Sequence, residues 1–127
     1  MLETATTHPM IAVSDLGRAK EFYSGTLGLR ITDERGGSAI RLETEGGTWF
    51  LVYQSADPRP GTGTCMRFEV HDVEATVAHL RGRGIEFEEY DLPGITTVDG
   101  IAQHASGARG AWFKDPDGNI LEVGQYG

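Results

Sequence analysis

His8-Pro9-Met10-Ile11-Ala12-Val13-Ser14-Asp15-Leu16 and Cys65-Met66-Arg67-Phe68-Glu69-Val70-His71-Asp72-Val73 follow one plan. Each is a short alternating run, then an acid, then a helical pattern. The offset is 57 residues for the strand and for Asp15 and Asp72, and 56 for Gly28 and Gly84. One supersecondary unit therefore occurs twice. In the first copy Pro9, Ile11 and Val13 alternate with His8, Met10 and Ala12, the period of a strand. Asp15 suits a helix N-cap, since its carboxylate can accept from the open amides of the first turn. Ala19, Phe22, Tyr23 and Leu27 then share one apolar helix face, and Gly28 suits the left-handed residue that ends it.

The pattern extends outward from there. Residues 29–34, 38–44 and 48–54 read as strands, separated by hairpin turns at Gly36-Gly37 and Gly46-Gly47. In the second copy, 65–71 is a strand, and Asp72 caps a helix with Val73, Val77 and Leu80 on one face. Gly84 ends that helix, and residues 85–90 read as a strand. A last hairpin, 111–114 and 119–125, turns at Asp115-Pro116-Asp117-Gly118, whose acids serve the turn. The expected fold is α+β, two βαβββ modules forming a curved mixed sheet around a cleft. It is a single domain over 1–127, with module one at about 8–54, a Gly- and Pro-rich linker at 55–64 and module two at about 65–125. Residues 91–110 have no steady period and read as a long loop, a lid in which Ile95, Val98 and Ile101 close over a ligand.

Composition narrows the function. The chain has 127 residues with 19 acids and 11 bases, a formal net charge of −8 and a pI near 4.8. Duplex binding needs clustered Lys and Arg, and the densest basic stretch is Arg81-Gly82-Arg83, so no nucleic acid and no anionic membrane is expected as partner. No apolar run approaches the ~20 residues that span a bilayer. No secretory signal is legible at the start, and the single cysteine, Cys65, has no intrachain partner. A cytoplasmic location is the expectation.

Alternation sorts each strand into two faces. Ile11, Val13, Leu42, Met66, Phe68, Val70, Leu121 and Val123 suit the face under the helices. The opposite face is assigned His8, Met10, Ala12, Arg41, Phe50, Val52, Gln54, Cys65, Arg67, Glu69, Trp112, Ile120, Glu122 and Gly124. That second set mixes apolar and ionisable groups, as a ligand cavity does. A sheet face packed on a partner subunit is the plainer alternative.

The βαβββ repeat, His8 seven residues before Asp15-Leu16, Phe22-Tyr23 followed by Leu27-Gly28-Leu29, and the ending Asp115-Pro116-Asp117-Gly118-Asn119-Ile120-Leu121-Glu122 resemble the vicinal oxygen chelate superfamily. That group holds glyoxalases, extradiol dioxygenases and bleomycin-resistance proteins, so one scaffold carries many chemistries. In its metal-dependent members four strands each supply a ligand. By that resemblance the positions fall here on His8, Phe50, Cys65 and Glu122. Phe50 cannot bind a metal, and a thiolate at Cys65 is too soft for such centres.

Three readings follow. The cavity binds a small organic molecule without metal, with Met10, Phe50, Val52 and Trp112 as apolar surface, Cys65 in the lining, and Arg41 and Arg67 holding an anion. Alternatively His8 and Glu122, with or without Cys65, hold a divalent metal ion. Or His8 and Glu122 are a metal-free catalytic acid–base pair in a glyoxalase- or dioxygenase-like enzyme. The plainer alternatives are an ordinary strand histidine, a Glu122 ion pair with Arg67 or Arg41, and a small buried Cys65. His71 and His79 read as solvated, and His104 lies in the long loop within reach of a ligand. The resemblance also implies a homodimer with two symmetric sites. No dinucleotide loop, phosphate loop, paired-cysteine site or serine elbow is present.

Overall fold

Alternating apolar residues build one dry face on each sheet, and a helix with a single apolar face covers it. The computed structural model describes residues 1–127. They divide into two compact units, Met1–Arg59 and Pro60–Gly127. The fold is α+β, with one mixed sheet in each unit.

The first unit runs β1 (Met10–Val13), α1 (Leu16–Lys20), a wider π-type turn over Glu21–Thr26, β2 (Arg30–Arg35), β3 (Ala39–Glu43) and β4 (Trp49–Gln54). The strand order is β1-β4-β3-β2, with β1 parallel to β4 and the other pairs antiparallel. Asp15 accepts from the Arg18 amide at 3.0 Å, so the acid is the N-cap that its position predicts. Gln54, the last residue of β4, accepts from the Leu16 amide at 2.8 Å and satisfies a second open donor. Gly28 ends the segment at φ +76°, where a Cβ is strained. Beneath the helix lie Ile11, Val13, Ile40, Leu42, Phe50 and Val52, with the fully buried Tyr23 edge-on to Phe50 at 5.8 Å between ring centroids.

The second unit runs β5 (Thr64–Glu69), α2 (Val73–Gly82), β6 (Asp91–Leu92), β7 (Ile95–Val98), β8 (Ile101–Gln103), β9 (Arg109–Lys114) and β10 (Ile120–Gln125). Its order is β5-β10-β9-β8-β7-β6, with β5 parallel to β10. The repeat persists down to single hydrogen bonds. Asp72 accepts from the Ala75 amide at 3.0 Å, and Gln125, the last residue of β10, accepts from the Val73 amide at 2.7 Å. The core is Val73, Val77, Leu80, Ile85, Ala111, Phe113, Leu121 and Val123. Asp115 accepts from the amides of Asp117 and Asn119 at 3.0 and 2.8 Å, so this acid does serve the turn.

Three expectations are corrected. Phe50 and Val52 were assigned to the open face, but Phe50 pairs with Leu42, and Val52 with Ile11 and Ile40, all under the helix. Trp49, Leu51 and Tyr53 take the open face instead. Residues 49–53 are all apolar or aromatic, so the two faces carry no contrast, and a one-residue slip exchanges them completely. Residues 85–90 form no strand, only a bridge between Phe87 and Phe113. Residues 91–110 are not a structureless lid. They hold β6, β7, β8 and the start of β9, strands too short for a period to register.

The register makes Phe50→Ala a core truncation. It should cost ~3–5 kcal/mol in urea unfolding. An unchanged midpoint would return Phe50 to the open face.

Candidate functional site

In the first unit the pairing register puts Met10, Ala12, Arg41, Glu43, Trp49, Leu51 and Tyr53 on the face away from α1. Trp49 is its centre. The His8 ring stacks on it with centroids 3.3 Å apart and planes 16° from parallel. The Arg41 guanidinium carbon lies 4.1 Å from the Trp49 ring centroid, a cation–π contact. His8 Nδ1 lies 3.1 Å from the Trp49 carbonyl oxygen, which can only accept, so Nδ1–H donates. The neutral ring then keeps its lone pair on Nε2, the arrangement of a histidine that binds a metal or takes a proton. Arg41 Nη2 donates to Glu43 at 3.4 Å, while its Nε is buried without a partner. The hydrogen bond from Arg30, with a smaller contribution from Arg41, holds the Glu43 carboxyl below the usual range. Met10 is largely exposed beside this cluster.

In the second unit Glu122 on β10 sits between Arg67 on β5 and Trp112 on β9. Arg67 Nη1 donates to Glu122 Oε2 at 3.1 Å, and Arg67 Nε donates to Glu69 at 3.0 Å. Arg67 Nη2 is buried and has no partner. The Tyr126 ring centroid lies 4.9 Å from the guanidinium carbon. Two strand glycines make this packing possible. A Cβ on Gly110 would collide with Glu122 Oε2, and one on Gly124 would collide with the Arg67 guanidinium. A glycine inside a strand is the mark of such a close approach. That signal was available in the sequence, and Gly110 went unused.

Burial pushes the Glu122 carboxyl above its ordinary value, outweighing the opposing charges of Arg67 and His104. Only 9% of Glu122 is exposed, so water does little to soften this.

The remaining residues are placed otherwise. Trp112 is buried; its Nε1 donates to Thr64 at 3.0 Å, and Tyr90, Ile95, Ala102 and Ile120 pack around it. Cys65 is the extra residue of a bulge, because Thr64 pairs with Ile120 and Met66 with Leu121. Thr64, which sequence reasoning missed, therefore stands beside the site instead. Cys65 is exposed as a residue, yet partial burial first and the nearby Asp115 charge second push its thiol up, away from the thiolate that binds metals. Nowhere in the chain do three His, Cys, Asp or Glu side chains gather closely enough to hold one metal ion.

Residues 6–123 match the family model of the Glyoxalase/Bleomycin resistance protein/Dioxygenase superfamily. The chain belongs to that superfamily. Its fold is shared by solved structures at low identity. A lactoylglutathione lyase from Agrobacterium tumefaciens is 20% identical, with a TM-score of 0.70 over 96% of this chain and 93% of that one. A glyoxalase family protein from Enterococcus faecalis is 23% identical, with a TM-score of 0.71 over 98% and 99%. A glyoxalase/bleomycin resistance protein from Catenulispora acidiphila is 22% identical, with a TM-score of 0.71 over 98% and 100%. No helix is long and apolar enough to cross a membrane.

For this glyoxalase-superfamily chain the Glu122 shift has a definite sign. Folding raises the carboxyl's pKa, so its stabilising contribution is full below the ordinary glutamate value and is lost as pH rises through the raised value. Glu122→Gln removes that loss, so the variant should gain on the wild type as pH rises, read as urea midpoints at stepped pH. Gly124→Ala displaces the Arg67 guanidinium and should raise the Glu122 titration further, read by carboxyl-carbon NMR. A wild-type Glu122 that titrates at or below the ordinary value contradicts this account.

Proposed function

We propose that the chain is a small-molecule-binding protein of the glyoxalase/bleomycin-resistance type that works without the four-ligand metal centre. The observation that carries this reading is the Arg67–Glu122 pair. By resemblance Glu122 stands at a metal-ligand position, yet here it faces a guanidinium, and that guanidinium keeps one buried nitrogen without a partner. A cation bound to Glu122 would sit against an arginine. Of the other positions, Phe50 offers only carbon and lies in the core, and Cys65 stands in a bulge with its thiol kept protonated. The donor set does not fit a four-ligand centre, and no step of this function runs through one.

The ligand chemistry follows from what the open faces offer. Trp49, not Phe50, stands on the open face of the first unit; its ring already carries His8 and Arg41, and Met10 and Leu51 supply apolar surface beside it. Arg41 in the first unit and Arg67 in the second each have a buried donor that an anionic group would satisfy. The ligand is accordingly an organic anion with an apolar body. By resemblance the binding species is a homodimer.

The test is native mass spectrometry of the protein against a panel of aromatic carboxylates and sulfonates, with elemental analysis before and after exposure to Fe(II), Mn(II), Ni(II) and Zn(II). Expected is a dimer that retains an anion, releases it chemically unchanged, and loses about tenfold in affinity with Arg67→Gln, the worth of a charged hydrogen bond. Near-stoichiometric metal that a His8→Ala/Glu122→Gln double variant loses would overturn the reading.

A second reading is favoured by one observation, the Glu122 carboxyl raised toward the range useful for proton transfer. In that reading Glu122 is the acid–base group of a glyoxalase- or dioxygenase-like enzyme. Glu122→Gln should then abolish turnover and leave the fold intact, and a fully active variant removes the role.

A further inference from the structure

The insertion that breaks the repeat also creates a feature with no counterpart in the first unit. Helix α2 packs over β10 and β9. Strands β8 and β7 carry the sheet beyond that cover, and their side chains alternate as any strand's do. Ala102 pairs with Gly110 and so faces the Trp112 side. Ile101 pairs with Val98, and Gln103 with Arg109, which places those residues on the helix side. The step between the flank of α2 and this uncovered sheet is a groove of about 640 Å³. That volume lies within the ~300–1,000 Å³ of ordinary ligand pockets. It is on the opposite face of the sheet from Glu122 and is independent of the function proposed above.

The groove has an apolar middle and guanidinium groups along its wall. Val77 and Ala78 line it from the helix, Val98 and Ile101 from the strands. Val98 is 77% exposed, an unusual fate for a strand valine opposite a helix. Arg81 is oriented toward Asp99. Its Nη2 donates to the Asp99 carbonyl at 3.0 Å, its Nη1 lies 3.3 Å from the Asp99 carboxylate, and its guanidinium carbon is 5.7 Å from the Phe87 ring centroid. Asp99 reaches it from a left-handed backbone, φ 52°, a region that aspartate enters more readily than most residues with a side chain. Gly100 follows because a Cβ there would stand 2.8 Å from Arg81 Nη2. Arg109 is less satisfied. Its Nη2 donates to Glu74 at 2.6 Å, but its Nε is buried without a partner. Glu74 itself is two-thirds exposed, so this pair is a weak one that a better acceptor can replace.

We propose that this groove is a second ligand site, which takes a small organic carboxylate with a compact apolar body. The carboxylate replaces Glu74 on Arg109 and reaches both its Nη2 and its orphan Nε, the planar fork that suits a two-oxygen acceptor. The apolar body lies along Val77, Ala78, Val98 and Ile101. Arg81 adds positive potential at the groove wall, partly offset by the exposed Asp99 carboxylate. A neutral molecule of the same shape gains the apolar contact but leaves the Nε unsatisfied.

The test uses the whole chain and four probes: benzoate, naphthoate, and the corresponding benzyl and naphthyl alcohols. Nitrogen-edited NMR follows the Arg109 Nε–H and the backbone amides of Thr96, Val98 and Ile101. The carboxylates should give saturable shifts at these residues and in α2, with the alcohols at least tenfold weaker there. Arg109→Gln should weaken naphthoate about tenfold. Val98→Asp, at a position too exposed to affect folding, should do the same by repulsion with an unchanged melting curve. Glu74→Gln, which removes the competing acceptor, should tighten binding. Arg67→Gln, on the other face, should leave these shifts in place, so failure of either site shows separately. Alcohols that bind as well as the acids, shifts that survive both Arg109→Gln and Val98→Asp, or no saturable shift at all would each overturn the proposal.

Discussion

Two amide hydrogen bonds at the first turn of each helix decide which side of each sheet stays dry. Asp15 and Gln54 hold the start of α1, and Asp72 and Gln125 hold the start of α2. The aspartates are local caps, but the glutamines end the last strand of each unit. Their side chains must point toward the helix. Strand alternation then fixes every second residue behind them. Gln54 sends Val52 and Phe50 into the core and leaves Tyr53, Leu51 and Trp49 outside. Gln125 sends Val123 and Leu121 inward and leaves Gly124 and Glu122 outside. The chemistry of both open faces therefore depends on two glutamines that touch no part of it.

This explains what could be read in advance. The longer strands, both helices, the aspartate caps and the turn glycines follow from alternation, spacing and positive φ, so the order of the first unit was legible, while that of the second was legible only outside 85–103. Glu122 was placed correctly because Leu121 and Val123 flank it and the polar contrast is sharp. Trp49 was not, because residues 49–53 present bulky apolar groups on both sides and only the Gln54 cap tells them apart. The strands at 91–103 were missed since two to four residues carry no measurable period. Cys65 lies in a bulge, where alternation assigns no face. The Arg67–Glu122 contact was foreseen only as one possible ion pair, since strand adjacency is a long-range fact.

The arginines on the open faces are expensive features for stability alone. Withdrawing a guanidinium and a carboxylate from water costs about as much as their attraction returns, and an apolar pair of similar volume commonly does as well. Arg67 is bonded to two acids and still retains an unpartnered nitrogen, and Arg41 leans on Trp49 with its Nε unsatisfied. Such groups are better explained by what they hold than by what they stabilise. The repeat supplies two similar sheets, and each keeps on its open side an arginine with a buried nitrogen that no group in the chain satisfies.

Gly110 and Gly124 carry a consequence for how this chain changes over evolutionary time. Both sit where any Cβ would collide with the tip of a long polar side chain across the strand pair, Glu122 in one case and Arg67 in the other. The four positions are epistatic. An alanine at 124 is incompatible with the present arginine pose, while with a short residue at 67 it is ordinary strand packing. The glycines and the long side chains are thus coupled: this pose of Arg67 and Glu122 requires glycine at both positions.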